Sequence, residues 1–260
     1  MICQHIPRAH RVADLKIEVD KKRGMSPSDL RFLVIERDNR TAERFGNLAL
    51  DGFSVIESTL TRCVFERVRA RSASLGEGSR QSVFEECTFS HCKLVFGAVG
   101  NVRLVRCRFE SCRLKNIFGT DLEMVECDFP NTVIKKGAFH GNVTDSAQFR
   151  PRRSANEFRN NDFSGATMED VDFRGGIDLH EQKLPTGADY VFIADTCKAL
   201  DIARELQTSI EDNGERMRSN TLVSLLDFYS SHGQNTQLMR LDPGGEFERA
   251  FRARLSTRVR

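Results

Sequence analysis

The 260-residue chain contains no tryptophan, only two tyrosines and six prolines, and its formal charge is +2. A charge this close to zero excludes whole-molecule attraction to nucleic acid or to an anionic membrane. No stretch approaches 18 consecutive apolar residues, which excludes a spanning helix. The opening MICQHIPRAHRVADLK lacks the apolar core of a secretory signal, so a cytoplasmic chain is expected. Phosphate loops, GxSxG elbows and HExxH pairs are also missing. Carboxylate pairs such as Glu85–Glu86 and Glu169–Asp170 are adjacent in sequence and imply no cleft. No catalytic residue, cofactor or metal is therefore expected, and the chain reads as a non-enzyme.

Against these absences stand nineteen phenylalanines and eight cysteines. Many fall in recurring phrases: FEECTFSHCKLVF at 84–96, VRCRFESCRLKNIF at 105–118 and VECDFPNTVI at 125–134. From Phe84, steps of five reach Phe89, Leu94, Val99, Leu104, Phe109, Leu114, Gly119, Met124, Phe129, Ile134, Phe139, Thr144 and Phe149. The step extends upstream through Leu50, Val55, Leu60, Phe65, Ala70 and Leu75, and downstream through Phe158, Phe163, Met168 and Phe173. Two residues before each stands a mostly small residue, among them Cys63, Cys87, Cys92, Cys107, Cys112 and Cys127. The phase slips at 76–81 and at 150–155, by four residues each time.

A period of five is neither helical nor that of a simple strand. It fits a chain that turns a corner every five residues and closes a four-sided coil in twenty. Such coils stack at about 4.8 Å, the spacing of paired strands. Repeats of this kind bury an interior only against their neighbours. One column should then carry Phe65, Phe89, Phe109, Phe129, Phe149 and Phe173. Cys87, Cys92, Cys107 and Cys112 can be parsed as two spaced zinc-ligand pairs. Their gap is the repeat gap, however, and Cys63 and Cys127 extend the column, so they read as compact core thiols.

On these residues the chain resembles the pentapeptide-repeat family, whose loose motif is seen in CTFSH, CRFES, CDFPN, ATMED and VDFRG. The resemblance implies an all-β fold, a right-handed quadrilateral β-helix, with a smaller α-helical C-terminal segment added here. Residues 1–44 are expected to form an N-terminal cap, 45–179 the β-helix, and 180–260 a helical cap or dimerisation segment. Some family members imitate duplex DNA, bind DNA gyrase or topoisomerase IV, and protect them from antibiotics. The resemblance thus implies a type II topoisomerase as partner.

The outward positions divide by charge. The side built on Ala70, Leu94, Leu114, Ile134 and Phe158 is expected to show Arg69, Arg71, Lys93, Arg113, Lys115, Lys135, Lys136 and Arg159, against Glu157. The opposite side, built on Leu60, Phe84, Leu104, Met124, Thr144 and Met168, should show Glu85, Glu86, Glu123, Glu126, Asp145, Glu169 and Asp170. Its bases are Arg62, Arg103 and Arg106, and Arg62, Glu86, Arg106 and Glu126 read as an ion ladder. Phe96 and Phe118 are expected outward beside the basic side. Lys93, Phe96, Arg113, Lys115, Phe118, Lys135 and Lys136, with Glu86 and Glu126 opposite, are the candidate partner-binding residues. An acidic partner on the basic side, without DNA mimicry, is the alternative to a topoisomerase.

From Asp195 the pattern becomes helical. Leu200, Ala203, Leu206 and Ile210 suit one buried face, Met217, Leu222, Leu225 and Phe228 a second, and Phe247, Phe251 and Leu255 a third. The last helix is basic, through Arg249, Arg252, Arg254, Arg258 and Arg260.

Overall fold

The computed structural model describes residues 32–143 and 153–258, with side chains to 256. The repeats form a parallel β-solenoid with three faces of hydrogen-bonded strands. Sheet one stacks Phe32–Glu36, Ala49–Ile56, Arg69–Glu77, Lys93–Val99, Arg113–Gly119, Val133–His140 and Thr167–Arg174. Sheet two stacks Asn39–Thr41, Thr59–Thr61, Ser82–Glu85, Val102–Val105, Leu122–Val125 and Phe158–Arg159. Sheet three stacks Arg44–Gly46, Val64–Glu66, Thr88–Ser90 and Arg108–Glu110. The first strands of sheets one and two lie inside the segment expected to be a cap, and that of sheet three starts at its last residue. Among the described residues the coils are present from Phe32 on, and Leu33 and Ile35 already face the core.

The five-residue step is visible in the backbone. Arg37, Ala42, Asn47, Glu57, Arg62 and Arg67 all adopt φ between 48° and 57°, as corners of successive sides. The pattern continues through Glu86, His91, Arg106, Ser111, Asn116, Glu126, Asn131, Lys136, Asn160 and Asp170. Left-handed conformations are unfavourable for residues with a Cβ. Stacking compensates, because corner N–H groups donate to the coil above: Arg62 to the Glu85 carbonyl (2.8 Å), Arg106 to Val125 (2.9 Å) and Glu126 to Arg159 (3.1 Å).

Inside, Phe45, Phe65, Phe89, Phe109, Phe129 and Phe163 form one column of near-parallel rings, with centroids 4.6–5.0 Å apart. Cys63, Cys87, Cys92, Cys107, Cys112 and Cys127 are all buried and free at the inward positions read from the period. Each sits where its thiol donates to a corner carbonyl. Cys87 reaches Leu60 (3.3 Å) and Glu85 (3.5 Å), and Cys112 reaches Phe89 (3.2 Å) and Glu110 (3.4 Å). Ser58 and Thr132 make equivalent bonds from the same register. The neighbouring Cys107 thiol and burial push the Cys87 thiol up to about 12, so it is a poor nucleophile. Among the described residues, no group of three or more His, Cys, Asp or Glu side chains could hold a metal ion.

The second interruption is longer than expected. The first slip has the anticipated stacking offset of 24, whereas the second gives 34. Phe158 therefore pairs with Met124 in sheet two, and Met168 with Ile134 in sheet one. Phe163, not Phe149, lies on Phe129, while Phe173 pairs with Phe139. The expected places of Thr144, Asp145 and Phe149 lie outside the described residues. Arg153 anchors the chain as it returns, donating to Asn101 Oδ1 (3.0 Å) and to the Asp121 carbonyl (2.6 Å).

The C-terminal segment closes on the last coil. Strands Tyr190–Ile193 and Gln237–Arg240 pair antiparallel, alongside helices α1 (Thr196–Gln207), α2 (Asn213–Ser231) and α3 (Glu246–Arg258). Gln237 Nε2 donates to the Phe173 carbonyl (3.0 Å). Tyr190 Oη accepts from the Met168 N–H (2.9 Å) and donates to the Met168 carbonyl (3.2 Å). These bonds satisfy strand groups that an open end would leave exposed. A second core forms from Ile193, Ala199, Ile202, Ala203, Leu226, Phe247 and Phe251. Helix α2 departs from its expected face: Leu222, Leu226 and Tyr229 are buried, whereas Met217, Leu225 and Phe228 are exposed. The α3 arginines are partly absorbed by the fold. Arg252 donates to the carbonyls of Ala188 (2.6 Å) and Leu241 (2.8 Å), and Arg254 pairs with Glu205 (3.4 Å).

Candidate interaction faces

Strand pairing fixes which outward side chains are neighbours. On sheet one the first outward column reads Ala49, Arg69, Lys93, Arg113, Val133 and Thr167. Three bases follow one another with no acid in the column. The second reads Val95, Lys115, Lys135 and Glu169 across the later coils. Arg69, Lys93, Arg113, Lys115 and Lys136 are exposed. None of the five makes an ion pair among the described residues, whereas Arg71 pairs with Asp51 (3.0 Å).

Lys135 is the first correction. The longer interruption brings Glu169 and Asp170 onto this sheet, and Lys135 Nζ lies 2.6 Å from Glu169 Oε2. That carboxylate raises the Lys135 pKa, and the ammonium lowers that of Glu169. Lys135 is thus neutralised locally. The same shift moves Arg159 and Glu157 to sheet two, where Arg159 pairs with Glu157 (2.6 Å) and Glu126 (3.4 Å).

Phe96 is the second correction. It is buried at 6% exposure, whereas Phe118 is 55% exposed. Gly97, at the small inward step of the period, is exposed instead, and Phe96 takes the inward place. The strand pairing is irregular on either side of Phe96, and the ring turns inward against Ala73. A glycine at an inward step beside an aromatic residue is the signal that could have revealed this.

Sheet two presents carboxylates, but they have partners. Arg103 meets Glu123 (3.1 Å) and Glu157 (2.6 Å), and Arg106 meets Glu85 (2.6 Å) and Glu86 (3.2 Å). Of the expected ladder, the Glu86–Arg106 rung is present, while Glu126 meets Arg159 instead. Glu123 is buried and also accepts from Gln81 (2.8 Å) and from the Glu157 N–H (3.1 Å). Arg159 and then Arg103 hold the Glu157 carboxyl below its ordinary range.

At the corner between these sheets, Glu57 gathers the 76–81 interruption. Its carboxylate accepts from Arg37 (2.9 Å) and from the N–H groups of Ser79 (2.9 Å) and Arg80 (3.2 Å). The Arg37 bond, then those backbone donors, lower its pKa to about 2.

No helix among the described residues is long and apolar enough to cross a membrane. No family model and no curated protein matches the chain. Among solved structures, it is similar to a trypsin-treated form of QnrB1, a plasmid-mediated fluoroquinolone resistance protein. Identity is 12%, covering 58% of this chain and 88% of that one, with a TM-score of 0.15. At that score the likeness carries no functional argument.

Proposed function

We propose that the chain is a non-catalytic binding solenoid that presents the outer face of sheet one to an acidic macromolecular partner. The observation that carries this reading is the column Arg69–Lys93–Arg113, with Lys115 beside it and Lys136 at the corner. Like charges one strand apart repel, so the column opposes stability. The sequence could have alternated charge there, as it does on sheet two. A row of unpaired cations gains its favourable interaction only when a partner supplies the anions.

The test is a double charge reversal, Lys93→Glu with Lys115→Glu, compared with Glu86→Lys with Glu126→Lys on sheet two. Only the sheet-one variant should lose salt-sensitive capture of the partner, with the melting temperature unchanged. Loss confined to the sheet-two variant would refute the reading.

The second reading is membership of the pentapeptide-repeat family and DNA mimicry towards a type II topoisomerase, with antibiotic protection in the cytoplasm. The repeat architecture and the acids Glu85, Glu86, Glu126 and Glu157 support it. The arginines bound to those acids weigh against it, because a mimic of duplex DNA needs uncompensated negative charge. A gyrase supercoiling assay with and without the protein distinguishes the two. Met217, Leu225 and Phe228 are the exposed apolar row on α2 at which two copies would pair as a homodimer, and sedimentation analysis tests it.

A further inference from the structure

We infer that the acidic partner of sheet one is a single-stranded nucleic acid, with phosphates on the basic column and a base stacked on Phe118. This rests on the reading of sheet one as the binding face and names the chemistry of its partner. Phe118 is more exposed than any other phenylalanine among the described residues. It shares the strand Arg113–Gly119 with two of the unpaired cations, Arg113 and Lys115. Lys115 and Phe118 are three residues apart, at most ~10 Å, on the two sides of the corner that Asn116 makes at φ 62°. That span lies within the reach of one nucleotide from phosphate to base.

The surroundings of Phe118 suit a flat ligand. On one side Phe118 pairs with Ala138, and on the other Ala98 precedes the paired Val99–Gly119. Ser74, the register partner of Ala98, continues the row of small residues. On the other side the row runs through Ala138, which is buried, to Asp172, whose carboxylate is held by Arg174 and Tyr229. A rigid corner with an exposed ring on one side and a track of cations on the other offers both contacts that single strands use. An acidic peptide would satisfy the cations but bring no π face to the ring.

Fluorescence anisotropy of the full chain should compare a labelled thymidylate dodecamer, an abasic strand of equal phosphate count and a polyglutamate peptide. The thymidylate strand should bind most tightly, its log affinity falling by roughly 0.7 per log unit of salt for each phosphate neutralised. Lys93→Glu with Lys115→Glu should abolish binding of both strands. Phe118→Ala should weaken thymidylate binding about tenfold and leave the abasic strand unchanged. Tighter binding of polyglutamate, or a Phe118→Ala variant with undiminished affinity, would overturn the nucleic-acid assignment and leave the basic-face reading intact. If none of the three binds at low salt, both fall.

Discussion

On the outer face of sheet two, Arg103, Arg106 and Arg159 each meet carboxylates, whereas on sheet one Arg69, Lys93 and Arg113 follow one another with none. Both sheets belong to the same coils and bury residues of the same period, Leu60, Phe84, Leu104 and Met124 in one and Ala70, Leu94, Leu114 and Ile134 in the other. Inward positions are constrained by stacking, while outward ones are free to vary. Where outward charge serves the fold it alternates between coils. Where it repeats, the fold gains nothing, and that is the ground for the proposed partner.

The largest expected effect strikes what the faces share. Phe109 lies between Phe89 and Phe129, at centroid distances of 4.7 and 5.0 Å. Phe109→Ala should cost about 3–5 kcal/mol in denaturant melts. A cost below about 1 kcal/mol would mean that the ring column does not hold the coils together.

Next comes the paired face. Arg103→Ala leaves Glu123 buried with fewer partners. Removing one member of a fully buried pair costs roughly 3–5 kcal/mol, and the partial exposure of Arg103 reduces this to about 2 kcal/mol. The equivalent change on sheet one, Arg113→Ala, should be nearly neutral. Equal costs for the two would erase the distinction between the faces.

Acid should act through the paired carboxylates. Glu57, Glu157 and Glu169 are each held below their ordinary value of 4.5. A depressed carboxyl contributes stability that is complete above the unfolded value and disappears as pH falls through the folded one. Melting temperature should therefore decline below about pH 4.5, with the Glu57 contribution fading towards about 2. In Glu57→Gln that part of the decline should be absent. An unchanged acid profile in this variant would show that the corner carboxylate does not secure the 76–81 segment.

The smallest effect is expected where sequence and stability part company. Lys93→Glu with Lys115→Glu should move stability by no more than about 0.5 kcal/mol. A destabilisation above 2 kcal/mol would show that these cations serve the fold and remove the reason to seek a partner for them.

Much of this architecture was legible in the chain. The step from Leu50 to Phe139 placed buried residues correctly because inward and outward positions alternate locally around each coil. The cysteines were recognised as core, but their hydrogen bonds to corner carbonyls were not, although Ser58, Ser82 and Thr132 share that register. Phe96 was misplaced because the strand register shifts on either side of it, so that Phe96 turns inward and Gly97 is exposed. On α2, the helical period admitted more than one apolar face, and packing against the other helices chose Leu222 and Leu226 over Leu225 and Phe228.

The sequence by itself determined the five-residue coil, the aromatic axis and the places of the thiols, since each depends on spacing along a short stretch. Only the tertiary structure decided which outward charges are neutralised. Lys135 meets Glu169 across 34 residues, and Arg103 meets Glu157 across 54. Those meetings depend on the length of the interruption between coils. An interruption of another length would leave the buried column apolar and exchange every outward partner beyond it.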